Sequence, residues 1–250
     1  MPRYTWADDR PVAAQVRAVI RDRATYGYRR VTALVNRACG TKYKPKRVRR
    51  VMARNGWTLP VRVRRRSGRA HPGRVARDGP NERWCSDSLL VPCTNVEVVE
   101  IGFVLDCYGR ECLAALRQPR DLCGADIRAL MGQAVAARFG EGRFGEGRAT
   151  PPVQWLSDNE EVYTALETVI AAERVGLAPV TTPAYSPESN GTAEAFLKTL
   201  KRDYVDGADL SSAAAVLDQL PRWAADDNGV TSHSALGYLA PQQYRARQQV

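Results

Sequence analysis

Apolar residues change period near residue 80 of this 250-residue chain, and no single packing unit satisfies both halves. From Pro11 to Gly56 they recur at helical spacing in three short blocks. These are Val12, Val16, Val19 and Ile20; Val31, Leu34, Val35 and Ala38; and Val48, Val51 and Met52. Cys39-Gly40 ends the second block, Pro45 opens the third and Asn55-Gly56 closes it, as helix punctuation requires. Three helices in so short a stretch predict a small all-α helix-turn-helix module over residues 1–57. Residues 58–80 hold Pro, Gly and Arg with no apolar period and read as a basic flexible linker.

After Asn81 the pattern turns to short β-type runs, 84–91, 96–105 and 112–116. A helical stretch over 125–139 follows, then strand 153–156, helix 161–174, strand 177–181 and helix 192–204. Three strands followed by alternating helices and strands predict an α/β domain over 81–210, its mixed sheet covered by helices on both faces. A C-terminal helical segment fills 211–250. Within the loop 139–148 the pentapeptide Phe-Gly-Glu-Gly-Arg occurs twice in tandem, a lengthening that costs little loop entropy.

Charge divides at the same place. Residues 1–80 hold 22 of the 37 Lys/Arg and only 4 of the 27 Asp/Glu, so a basic arm precedes a mildly acidic body. Such an arm suits a polyanion, because each cation that neutralises a phosphate releases condensed counterions. Lys46, Arg47, Arg49, Arg50 and Arg54 surround the apolar stripe of the third block and are candidate DNA contacts, as are Arg64, Arg65 and Arg66 of the linker. An ordinary solvated basic face is the competing reading.

No stretch approaches the length of a membrane span, no secretory pattern opens the chain, and a cytoplasmic protein at the nucleoid is expected. The six cysteines show no zinc-knuckle spacing and read as reduced thiols.

Three acids stand at the ends of expected elements, where residues distant in sequence converge. Asp87 lies in the first strand, Asp158 directly follows the strand segment Val153-Gln154-Trp155-Leu156-Ser157, and Glu194 falls in the first turn of the helix after Asn190-Gly191. Taken singly, each has a structural alternative: an edge-strand charge for Asp87, a helix cap for Asp158, a helix-dipole partner for Glu194. Three carboxylates without a histidine cluster suit Mg²⁺ or Mn²⁺ better than Zn²⁺.

Between Asp158 and Glu194 lie 35 residues, and Ser186-Pro187-Glu188-Ser189-Asn190-Gly191 leads into Ala193-Glu194-Ala195-Phe196. This interval and motif resemble the retroviral integrase superfamily, which is ribonuclease H-like. More narrowly, residues 186–204 resemble the second-frame DDE transposases of the insertion-sequence-three family, in its insertion-sequence-two branch. Tyr26-Gly27-Tyr28-Arg29-Arg30-Val31, the entry from Asn81 to Asp87, and His233-Ser234-Ala235-Leu236-Gly237-Tyr238 match the same family in the same order.

The resemblance implies DNA strand cleavage and strand transfer, with Asp87, Asp158 and Glu194 as ligands of a two-ion Mg²⁺ or Mn²⁺ site. It implies double-stranded DNA as partner, a homo-oligomer on DNA, and fusion to an upstream-frame product. Lys198 and Lys201 share one helix face with Glu194 and are expected to meet phosphates near the scissile bond, or alternatively to pair with Glu194. Asn190 is expected to shape the site or cap the helix, while Asp106 and His233 are expected to be structural.

Two departures bear on activity. Glu160 stands where the family usually has glycine, which predicts a strained turn behind Asp158. Thr231-Ser232 stands where Arg-Pro is common. The alternative function is therefore an impaired or domesticated transposase acting as a DNA-binding protein.

Overall fold

The computed structural model describes residues 8–60, 77–118, 121–140, 152–182 and 190–248. Arg64, Arg65 and Arg66, most of the 58–80 linker, most of the tandem repeat and residues 186–189 of the motif lie outside them. The chain forms two units. One comprises residues 1–70 together with 231–240, and the other residues 71–230 with 241–250.

In the first unit, α1 (Arg10–Asp22), α2 (Tyr28–Cys39) and α3 (Pro45–Arg54) follow the three apolar blocks. Proline occupies the first turn of α1 and of α3, where its missing N–H costs nothing. Gly40 ends α2 in the left-handed conformation at φ +63°, the geometry that favours glycine. Val12, Val16, Val31, Leu34, Val35, Val48, Val51 and Met52 of the three blocks are buried together with Tyr26, while Val19 and Ile20 are half-buried and Ala38 is exposed.

The second unit holds a five-stranded sheet in the order β3-β2-β1-β4-β5. Its strands are β1 (Arg83–Pro92), β2 (Val98–Asp106), β3 (Cys112–Gln118), β4 (Val153–Ser157) and β5 (Leu177–Thr181). The first three pair antiparallel, whereas β4 runs parallel to both β1 and β5. This is the mixed ribonuclease H-like sheet.

Alternation along β1 sends successive side chains to opposite faces. Trp84 joins Val104, Trp155 and the helix α4 (Gly124–Phe139) through Ile127, Leu130, Met131 and Val135. Cys85, Leu89 and Val91 join Phe103, Leu156 and the other layer, made by α7 (Gly191–Asp203) through Phe196 and Leu200 and by α8 (Ala213–Gly229) through Val216, Leu220 and Trp223.

The stretch expected as one helix over 161–174 is two, α5 (Glu161–Thr164) and α6 (Leu166–Arg174), because Ala165 turns extended at ψ 137°. The Thr168 hydroxyl donates to the Val162 carbonyl across the break, a side-chain bond that competes with the helical ladder. The C-terminal stretch is also interrupted. Between α8 and α9 (Pro241–Gln248), residues 231–240 leave the second unit and pack within the first.

All six cysteines are free, four of them buried. Among the described residues no helix is long and apolar enough to cross a membrane.

Candidate active site and DNA-facing unit

The parallel pairing of β1 with β4 sets Cys85 opposite Leu156, both facing the α7 layer. Asp87 lies two residues beyond Cys85, and Asp158 lies two beyond Leu156. By strand alternation Asp87 continues on the face that α7 covers, while Asp158 stands directly after the last residue of β4. Glu194 lies in the first turn of that helix.

Burial pushes the Asp87 carboxyl up to about 6 from its ordinary 3.8. The Ser88 N–H, donating to Asp87 Oδ1 at 2.8 Å, pulls the other way. The negative charges of Asp158, Glu160 and Glu194 add to the rise, so acids from two distant stretches of the sequence act on Asp87. Among the described residues, no three His, Cys, Asp or Glu side chains already stand at the spacing of a metal site.

Several bonds fix this neighbourhood. Asn190 Nδ2 donates to the Ser86 carbonyl at 3.3 Å, tying the start of α7 to the strand residue before Asp87. Asn190 makes no side-chain cap to the helix, so of the two roles expected for it the structure displays the tie and not the cap. Its buried Oδ1 has no partner among the described residues. Asn159 Nδ2 donates to the Thr182 carbonyl at 2.8 Å and fastens the turn after Asp158 to the end of β5. Tyr163, buried, shares a hydrogen bond with Ser86 Oγ at 3.2 Å from the opposite face.

Glu160 overturns the expectation of strain. Its φ is −65° with ψ 146°, an extended conformation open to any residue, and it starts α5. What it adds is charge. Its own carboxyl is raised by burial and by Asp158 and Glu100.

Lys198 Nζ pairs with Glu194 Oε2 at 2.9 Å, the intrahelical contact that competed with a phosphate role. Both Lys198 and Lys201 are exposed. Sequence reasoning missed Arg110, whose Nη1 donates to Thr192 Oγ1 at 2.6 Å and braces the first turn of α7 from the β2–β3 turn. Its positive φ of 58° was the only available hint, and it appears only in the fold.

Asp106 is buried, accepts from the Tyr108 N–H at 2.9 Å and lies 3.3 Å from Arg138. Glu111 lies 3.0 Å from the same Arg138 Nη2 and 3.2 Å from Arg245. Even so, burial holds the Asp106 carboxyl above its ordinary value.

In the first unit the α3 cations divide into two groups. Asp9 binds Arg47 Nε at 2.9 Å, Arg50 Nη2 at 2.9 Å and Arg54 Nη1 at 3.6 Å. Lys46 and Arg49 are exposed and are not among the cations that Asp9 binds. Three of the five arginine and lysine contacts expected on this helix therefore already have a carboxylate partner.

Residues 6–66 match the family model of an HTH-like domain, and residues 175–241 match that of an integrase core domain. A transposase InsD for insertion element IS2A/D/F/H/I/K of Escherichia coli is 39% identical over 242 residues, covering 95% of this chain and 79% of the relative. InsD for insertion element IS2-9 of Escherichia coli strain K12 is 39% identical over 95% of this chain and 77% of its own. Among solved structures, a chain of the simian T-cell lymphotropic virus intasome in complex with PP2A regulatory subunit B56 gamma superposes with TM-score 0.53. It is 18% identical, over 93% of this chain and 73% of that one, a likeness of fold.

The sheet and the two family models define an integrase-core transposase, a polynucleotidyl transferase by class. Within that class, the chain belongs to the transposase family of insertion element IS2, in the insertion-sequence-three group.

Proposed function

We propose that Asp87, Asp158 and Glu194 are the metal-binding acids of a DNA strand-transfer site. The observation that carries this reading is topological: Asp87 lies on β1, Asp158 directly follows β4, the strand parallel to and paired with β1, and Glu194 lies in the first turn of α7, which packs on β1.

The residues present fit a hard cation. The donors are carboxylate oxygens, Asp87 is held protonated toward neutral pH by burial and like charge, and a cation reverses that penalty. Mg²⁺ or Mn²⁺, two ions by family resemblance, would supply charge on the attacking and leaving oxygens of the phosphodiester. The chain's own part is to hold the acids. Asn190 keeps the start of α7 on β1, Asn159 keeps the turn after Asp158 on β5, and Arg110 braces Thr192. Lys201, exposed seven residues after Glu194, has no acidic partner among the described residues and is open to a DNA phosphate, and Lys198 would join it if a cation held Glu194.

Double-stranded DNA is the partner. The helical unit contacts it, with Lys46 and Arg49 as the α3 cations that Asp9 does not hold and Arg64, Arg65 and Arg66 following in the linker. Because two DNA ends must be joined in one event, the working form is a multimer on DNA. It is fused to the upstream-frame product and acts in the cytoplasm at the nucleoid.

The test is cleavage and joining of labelled DNA carrying the element's terminal repeats, with Mg²⁺ or Mn²⁺, for the chain, its fusion and Asp158→Asn of each. Metal-dependent products lost in the Asp158→Asn protein are expected. Products that persist in it would exclude this triad.

A further inference from the structure

The first unit has few counter-charges. Residues 1–70 and 231–240 contain only three carboxylates, Asp8, Asp9 and Asp22. Asp8 holds Arg10, Asp22 holds Arg21, and Asp9 holds Arg47, Arg50 and Arg54. None of them pairs with Arg29 or Arg49, which are exposed on α2 and α3. These two guanidinium groups flank the ring of Tyr28 at 5.8 and 5.9 Å. Lys46, also exposed, lies one turn before Arg49 on the same helix face.

A second aromatic side chain reaches this cluster from the far end of the sequence. Arg29 donates to the hydroxyl of Tyr28 at 3.2 Å, and the neighbouring Tyr238 phenol, like that of Tyr28, raises the pKa of its guanidinium. Tyr238 belongs to the decapeptide 231–240, which is anchored in the first unit. The Tyr26 hydroxyl donates to Thr231 Oγ1 at 3.1 Å, Arg37 donates to Ser232 Oγ at 2.9 Å, and Thr231, Ser232, Leu236 and Ala240 are buried.

The decapeptide is closed on itself by the His233–Leu239 bridge, and the N–H groups of Leu236 and Tyr238 both donate to the His233 carbonyl, at 3.0 and 2.9 Å. Tyr238 sits at φ +67°, directly after Gly237 at +64°. A bulky side chain is strained there and glycine is not. The backbone alone gives no reason for tyrosine at 238, whereas the Arg29 contact does.

We propose that Tyr28, Arg29, Arg49 and Tyr238 form one face for the sugar–phosphate backbone of double-stranded DNA, and that residues 231–240 are the strap that completes it. Arginine forks match phosphate oxygens, tyrosine hydroxyls donate to them, and no carboxylate of the unit competes for these two arginines. Segments before and after the catalytic core thus build a single DNA contact. This inference rests on the DNA-binding reading above.

The full chain is titrated against a labelled duplex of arbitrary sequence, about 30 base pairs long, over a range of salt. Arg29→Gln should weaken binding and make the salt slope shallower by about 1. Tyr238→Gly, which relieves the backbone, should melt no lower than the parent yet bind severalfold more weakly. Tyr238→Phe, which deletes one oxygen and leaves the strap packed, should fall between, and the Arg29→Gln/Tyr238→Phe double variant should lose less than the product of the two single losses.

If both Tyr238 variants bind like the parent while Arg49→Gln weakens binding, the strap is no part of the surface although the DNA-binding reading stands. A parent chain with no salt-dependent affinity for duplex DNA overturns both.

Discussion

Asn190 and Ser86 are joined by a buried hydrogen bond of 3.3 Å, from side-chain amide to main-chain carbonyl, across 104 residues of sequence. The bond spans the gap between the helix carrying Glu194 and the strand carrying Asp87. Asn190→Ala leaves a buried carbonyl without its donor, and a loss of about 1–3 kcal/mol in denaturant melts is expected. Metal-dependent strand transfer should fall further than stability alone explains, measured at a temperature where the variant remains folded. Equal activity per folded molecule would make the bond merely structural.

Asp87 gives a stability signature with a defined sign. Its folded carboxyl titrates at about 6 against 3.8 ordinarily, so the native state binds this proton more tightly than the unfolded chain does. The resulting stability is fully present below 3.8 and is lost as pH rises through 6. In metal-free protein, Asp87→Asn should therefore be more stable than the parent at pH 7, by about 1–2 kcal/mol after allowing for partial exposure of the group. The gain should disappear toward pH 4, and added Mg²⁺ should narrow it at pH 7. Paired thermal melts across pH check each limb.

Arg138 lies within 3.3 Å of Asp106 and 3.0 Å of Glu111, all three side chains buried. Arg138→Ala removes the shared cation from two carboxylates, and a loss of about 3 kcal/mol or more is expected. Arg245, 3.2 Å from Glu111, limits the loss at that acid. Urea unfolding of the full chain measures it, and a change below about 1 kcal/mol would show that solvent replaces the arginine.

Asp9 restrains three arginines of α3. Burial alone pushes its carboxyl up, but the hydrogen bonds and charges of Arg47 and Arg50 outweigh this and hold it below its ordinary value. A depressed acid stabilises the fold above its unfolded pKa and loses that contribution as pH falls through the folded one. Asp9→Asn should thus destabilise the protein at neutral pH, with the difference closing in strong acid. It should also tighten binding to duplex DNA about threefold or more, because Arg47, Arg50 and Arg54 become available to phosphate. Fluorescence anisotropy at fixed salt reads the change, and weaker binding would mean that Asp9 positions these arginines for DNA instead of withholding them.

Local period was enough to locate the helices of the first unit and the strands of the second. Val12, Val16, Val31, Val35, Val48 and Val51 are buried as their spacing predicts, because helical and strand geometry fix which neighbours share a face. Asp87, Asp158 and Glu194 could likewise be singled out from their places at element ends and from the interval between the last two.

Other features depend on which strands and side chains meet, which local spacing does not encode. The β1–β4 pairing, which brings the strand of Asp87 beside the strand that Asp158 follows, joins residues 71 apart, and its parallel sense follows from the crossover through α4. Asp9 meets Arg47 and Arg50 only because α1 packs against α3. Glu160 reads as strained in the sequence and is relaxed in the fold, since a residue's φ depends on where its turn is fastened, here by Asn159 to Thr182. The strap 231–240 is the widest case. Nothing in its composition points to the first unit, and only the burial of Thr231, Ser232 and Leu236 there, with Tyr26 and Arg37 as hydrogen-bond donors, assigns it. The sequence by itself determined the elements and the chemistry of the acids; tertiary packing decided their partners, because contacts across long stretches of chain form only when whole faces are buried together.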